Sequence, residues 1–208
     1  GYSFVSSSKK AVEHGNINLN QYKAIDLILG KEKQSKFGAG KDGKLEFKTF
    51  SKPMQQKLTS YTEQGGRLFV SGAYVASDLC DNKLATKLTE DEQFLANTLK
   101  IKWRVGRAAT EGHLKEVVSP TLSTQDKYTF NQSFSSKVYR VESPDAIEPI
   151  DDTAHTVMRY GENNLSAGVA YKGNYRTYVL GVPFESIIGS TDRDTLMNRI
   201  LTFLFDNN

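Results

Sequence analysis

Short apolar runs separated by polar, glycine-rich stretches divide the first half of the chain into alternating strands and helices. YKAIDLILG (22–30) is an apolar run closed by Gly30, the pattern of a strand buried on both faces. Ser51 can cap a helix with Pro53 in its first turn. Met54, Leu58 and Tyr61 then share one face, and Gly65-Gly66 stops it. RLFVS (67–71) is a second buried strand. Thr89 and Glu92 have capping-box spacing and open a helix that buries Phe94, Leu95 and Leu99. YSFVSSS (2–8) is strand-like, KKAVEHG is a helical turn, and KEKQSKFGAGKDGKLEF (31–47) is a polar loop.

The second half is less regular. IKWRVGR (101–107) alternates as a half-exposed strand. Residues 108–155 are turn-rich, contain Pro120, Pro144 and Pro149, and are expected to form an insertion with irregular or β structure. AHTVMRYG, LSAGVAYKG and YRTYVLGVPF are three strands, the last two a hairpin turning at Lys172-Gly173-Asn174. Thr191 and Asp194 can cap a closing helix with Leu196, Met197, Ile200, Leu201 and Leu204 on its face. Strand–helix alternation through residue 105 predicts a layered α/β domain on a mostly parallel sheet, with an antiparallel hairpin near the C-terminus.

Composition narrows the function classes. The 208 residues suit a single domain, and 38% hydrophobic with 25% charged residues is ordinary globular composition. Net charge is +3, with lysines and acids interleaved, which argues against nucleic-acid binding. The single cysteine, Cys80, excludes an intrachain disulfide and a cysteine-cluster metal site. His113 and His155 lack metal-ligand spacing, so no metal or cofactor is expected. No apolar stretch is long enough to predict membrane insertion. The chain opens on Gly1-Tyr2-Ser3-Phe4-Val5, like the inside of a strand, and reads as a fragment of a larger protein.

RLFVSGAYVASDLC (67–80) runs a strand into a sharp turn, where α/β hydrolytic folds display a nucleophile. Together with YKAIDLILGKEK, YRTYVLGVPFESI and LMNRILTFLF, it resembles the class I glutamine amidotransferase-like superfamily. GYSFVSSSKKAVEHG, IDLILGKEK and GGRLFVSGAYVASDL are similar, more narrowly, to the amidotransferase-like domain of Bacteroidetes proteins labelled putative xanthan lyase. The resemblance covers residues 1–105 and 156–206. It implies a flavodoxin-like three-layer sandwich, with a first strand and helix preceding residue 1. It also implies a periplasmic or extracellular setting in a polysaccharide- or cell-surface-processing protein, alongside other domains of the same polypeptide.

Amidotransferase chemistry needs a thiolate at the turn and a histidine from the late strand. The turn holds Ser71, Gly72, Ala73 and Tyr74. Cys80 comes too late, and GVPFES keeps Glu185 but no histidine. The expectation is therefore a non-catalytic, degenerate module. Tyr74, Ser77 and Asp78 lie past a strand end where α/β sheets bind ligands, and could hold a saccharide or peptide. Asp78 equally suits a helix N-cap. Glu32 and Glu185 share that edge and could do acid–base work. Glu32 also suits a plain surface role beside Lys31 and Lys33. Ser71 is a candidate nucleophile, or a small residue that lets the turn close. The rival reading is a hydrolase or xanthan-type lyase at this crevice, with Tyr74 as base and Arg104, Arg107 or Arg159 neutralising charge.

Overall fold

A computed structural model describes residues 2–38, 43–80 and 87–206. Ser8 caps a short helix α1 (Lys9–Glu13), and the chain then rises through β1 (Ile25–Gly30). The polar stretch read as a loop contains a two-stranded ribbon, β2 (Ser35–Phe37) and β3 (Lys44–Glu46). Helix α2 (Lys52–Glu63) starts where Ser51 Oγ accepts the Met54 N–H, and it leads into β4 (Arg67–Gly72). The Thr89–Glu92 capping box forms and opens α3 (Glu90–Phe94), which continues as a π-turn over Leu95–Leu99. Lys100, at φ +62°, ends it in the left-handed conformation.

Strand β5 (Ile101–Val105) then leaves the main sheet and pairs with β8 (Ala146–Pro149). The region expected to be irregular contributes β6 (His113–Glu116) and β7 (Lys127–Thr129). Then come β9 (Ala154–Tyr160), β10 (Ser166–Lys172) and β11 (Arg176–Leu180). Helix α4 (Ser190–Phe205) closes the chain. Its N-cap is Gly189, with no side-chain cap from Thr191 or Asp194. Residues 2–8, strand-like in composition, form no strand.

The main sheet runs β1-β4-β11-β10-β9-β6-β7. Only β1–β4 and β4–β11 are parallel; the other four pairings are antiparallel. A flavodoxin-like, mostly parallel sandwich is therefore not the fold. This is a β-rich mixed α/β fold with four α-helices among the described residues. The reason lies in the connections. A parallel return needs a crossover of a dozen or more residues, usually a helix. Between β4 and β11 the α3/π segment delivers the chain to β5, outside the sheet. The strands β6, β7, β9 and β10 are joined by turns and loops without helices, so they pair antiparallel.

Alternation along β4 builds two cores. Phe69 packs with Tyr178, Leu180, Leu196, Ile200 and Phe203 beneath α4. Leu68 and Val70 pack on the opposite face with Met54, Leu58, Leu99 and Val179 beneath α2 and the π-turn. Among the described residues no helix is long and apolar enough to cross a membrane.

Candidate functional site

The parallel strands β1, β4 and β11 end side by side, and the candidate residues gather at that edge. Ala73 N–H donates to Gly30 O at 2.8 Å, which holds the turn after β4 against the end of β1. Asp145 secures the turn from behind. Its Oδ2 accepts the N–H groups of Ala76 (3.0 Å) and Ser77 (2.8 Å). Its own N–H donates to Gly181 O, and Tyr160 Oη donates to its carbonyl at 2.7 Å. A Cβ on Gly181 would sit 2.0 Å from the Asp145 carbonyl oxygen, so only glycine permits this approach. Asp145 is fully buried, and burial raises its pKa from 3.8 to about 6 despite the two backbone donors.

Most residues expected at the site are engaged in holding it together. Asp78 Oδ1 accepts Gln34 N–H, and Oδ2 accepts both the N–H and the hydroxyl of Thr49, each at 2.9 Å. It cross-ties the loops after β1 and before α2, and it does not cap a helix. Glu32 pairs with Lys9 Nζ at 2.8 Å. Lys9 also donates to the carbonyls of Lys48 and Thr49. Ser77 serves through its backbone N–H. Ser71 is fully buried with its Oγ unpartnered. Tyr74 is half-buried, with Lys33 Nζ 4.9 Å from its ring centroid. Cys80 is partly buried, and burial, followed by Glu92 and Asp145, pushes its thiol up to about 12. That is the reverse of nucleophile activation.

Glu185 has different company. It follows β11, and Tyr139 Oη donates to its Oε1 at 2.5 Å. The pair lies over Gly30, whose φ is +56°; a Cβ there would stand 3.1 Å from Tyr139 Oη and 3.3 Å from Glu185 Oε1. Glycine thus serves both the turn and the close approach. The charge of Glu185 also reaches Asp26, near the start of β1. Burial of its carboxyl, followed by the charge of Glu185, raises its pKa from 3.8 to about 6. Asp26 as a whole is nonetheless exposed, and solvent screens the shift. Burial first, then Glu185, likewise pushes the Tyr139 phenol up, keeping it a neutral donor. Lys31 Nζ sits 5.5 Å from the Tyr139 ring centroid and pairs with Glu142 at 2.6 Å.

The structure thus bonds Glu185 to Tyr139 and puts Asp26 within reach of its charge, two partners that sequence patterning missed. Asp26 was signalled as the single charge inside the strand run IDLILG (25–30). Tyr139 carried no signal, because it comes from the turn-rich region and reaches the site only through tertiary folding. The histidines lie elsewhere: His14 at the end of α1, His113 on β6 and His155 on β9. Among the described residues no group of three or more His, Cys, Asp or Glu is arranged to hold a metal ion.

No family model matches the chain, and no curated protein matches it. Among solved structures it is similar to the exo-β-1,4-mannosidase Op5Man5 from Opitutaceae bacterium strain TAV5. That match has 15% identity and a TM-score of 0.41, over 74% of this chain and 22% of the mannosidase. It is also similar to the mmIFT52 N-terminal domain, with 16% identity and a TM-score of 0.48, over 76% of this chain and 73% of that one. The chain spans about a fifth of the mannosidase's length. Both likenesses are distant, and they assign neither a family nor a function.

Proposed function

We propose that this chain is a non-catalytic accessory module that binds a saccharide or peptide where β1, β4 and β11 end. The Tyr139–Glu185 pair, whose charge reaches Asp26, carries this reading. It joins a phenol and a carboxyl already bonded to each other with the carboxyl of Asp26, an exposed residue whose pKa is raised to about 6. Hydroxyl-rich ligands are held by such mixed donors and acceptors. The turn after β4 supports a binding role over hydrolysis: Ser71 Oγ is enclosed, and the Cys80 thiol is kept protonated. The resemblance to amidotransferase-like domains of putative xanthan lyases supports an exported, polysaccharide- or cell-surface-processing context.

One observation favours a second reading. Asp26 and Glu185 influence each other electrostatically, and a carboxyl of raised pKa near a second carboxylate is the acid–base arrangement used by hydrolases and lyases. In that reading Asp26 is the acid and Glu185 the base.

A screen on glutamine, esters, and neutral and acidic polysaccharides separates the two. Binding without turnover, weakened at least tenfold by Asp26→Asn, is expected. Turnover abolished by Asp26→Asn or Glu185→Gln would establish the enzyme reading instead.

A further inference from the structure

Among the described residues, strand β1 stands at the end of the main sheet, with β4 as its one strand partner. Its sequence, IDLILG, has the apolar character of an inner strand rather than the charged character that protects an edge. Ile28 is 59% exposed on one face. Ile25 and Leu27 are only half covered on the other.

Residues 2–8 pass across this edge. At one end Tyr2 stacks on Phe205, with ring centroids 5.2 Å apart. Phe205 lies at the base of the sheet, because the Arg67 guanidinium that starts β4 sits 5.0 Å from its ring. At the other end Lys9 is fixed to Glu32, just past the top of β1, and to Thr49 O. The segment therefore travels base to top, in the same direction as β1. It also starts on the α4 face and ends on the α2 face, where Val12 joins the core. Six residue steps from Tyr2 to Ser8 span roughly 20 Å extended, close to the roughly 17 Å of β1. Yet every residue from Tyr2 to Ser8 is exposed, Phe4 at 89% and Val5 at 69%.

We propose that residues 2–8 are a strap that closes on the outer edge of β1 as an eighth, parallel strand. Side-chain alternation fixes what the closed strap covers. Tyr2 is on the α4 face, so Phe4 joins it there and covers Ile28. The register supports this, since Ile28 pairs with Ser71 and Asp26 with Phe69, whose ring is in the α4 core. Val5 falls on the opposite face, over Ile25 and Leu27. Tyr2, Phe4 and Val5 are also strand-forming residue types, and the strap removes an edge that otherwise invites association.

Amide hydrogen exchange on the 208-residue chain, followed by NMR, tests the strap. The amides of Val5 and Ser7, which face β1 in the closed strap, should exchange at least tenfold more slowly than in an unstructured peptide, while those of Phe4 and Ser6 point to solvent. Val5→Pro cannot supply the ladder N–H. It should abolish that protection and speed the outer β1 amides by a similar factor, with β4 and α2 amides unchanged. Val5→Thr, which keeps the N–H and the β-branch, should retain protection. Unstructured exchange rates for Val5 and Ser7 in the wild type would overturn the proposal. So would protection that grows with protein concentration alongside a dimer in light scattering, because the strand would then be exchanged between copies.

Discussion

Tyr139 donates its phenolic hydrogen to Glu185 across 2.5 Å, linking the loop before β8 to the turn after β11 directly above Gly30. The bond fixes the orientation of Glu185 Oε1. The other oxygen, Oε2, is enclosed without a partner. Tyr139→Phe removes the donor and keeps the ring. Calorimetry with whichever saccharide or peptide the screen identifies should give at least tenfold weaker binding, while the melting temperature moves by only a few degrees. Unchanged affinity would remove Tyr139 from the site.

Ser71 is enclosed, with its hydroxyl unpartnered. An unsatisfied buried hydroxyl costs more than the methyl that replaces it. Ser71→Ala should therefore be neutral or stabilising by about 1 kcal/mol in urea unfolding. Any turnover should persist in the variant. Activity that disappears with Ser71 would restore it as a nucleophile.

Asp145 has a folded-state pKa of about 6 against an ordinary 3.8, chiefly through burial. The folded state therefore holds the proton more tightly than the unfolded chain. The contribution to stability is full below about pH 4, falls as pH rises toward about 6, and is level above. The loss amounts to roughly 3 kcal/mol. Asp145→Asn keeps an acceptor for the Ala76 and Ser77 N–H groups and does not ionise. Its stability relative to wild type should increase across that interval, measured by urea unfolding at several pH values. A difference independent of pH would refute the assignment.

Arg199 on α4 reaches Glu116 on β6 and also pairs with Asp126. The Glu116 side chain is fully buried and also accepts from Tyr128 Oη at 3.0 Å. Removing one partner of a buried ion pair leaves an uncompensated charge. Arg199→Met should cost about 3 kcal/mol. The double variant Arg199→Met/Glu116→Gln should recover part of it, and equal losses in single and double variants would show that the pair is not coupled.

Local rules made several elements legible from residues alone. The Ser51 cap of α2, the Thr89–Glu92 capping box, the apolar runs of β1 and β4, and the turn between β10 and β11 each depend on neighbours a few residues away. The candidate edge was legible in part, because Glu185, Tyr74 and Asp78 follow strands whose apolar runs are clear. What each residue does there was not legible. Asp78 resembles a helix cap in sequence, yet it ties Gln34 and Thr49. Asp145 and Tyr139 reach the edge from a region with no periodicity. Strand direction was also beyond local pattern. An apolar run is the same whether its neighbour is parallel or antiparallel, and the α3/π segment led out of the sheet rather than across it. The sequence by itself determined where backbone hydrogen bonds close locally and which faces are apolar. Tertiary structure decided which strands pair and which carboxyls meet, because those energies are shared between residues far apart in the chain and appear only when both are in place.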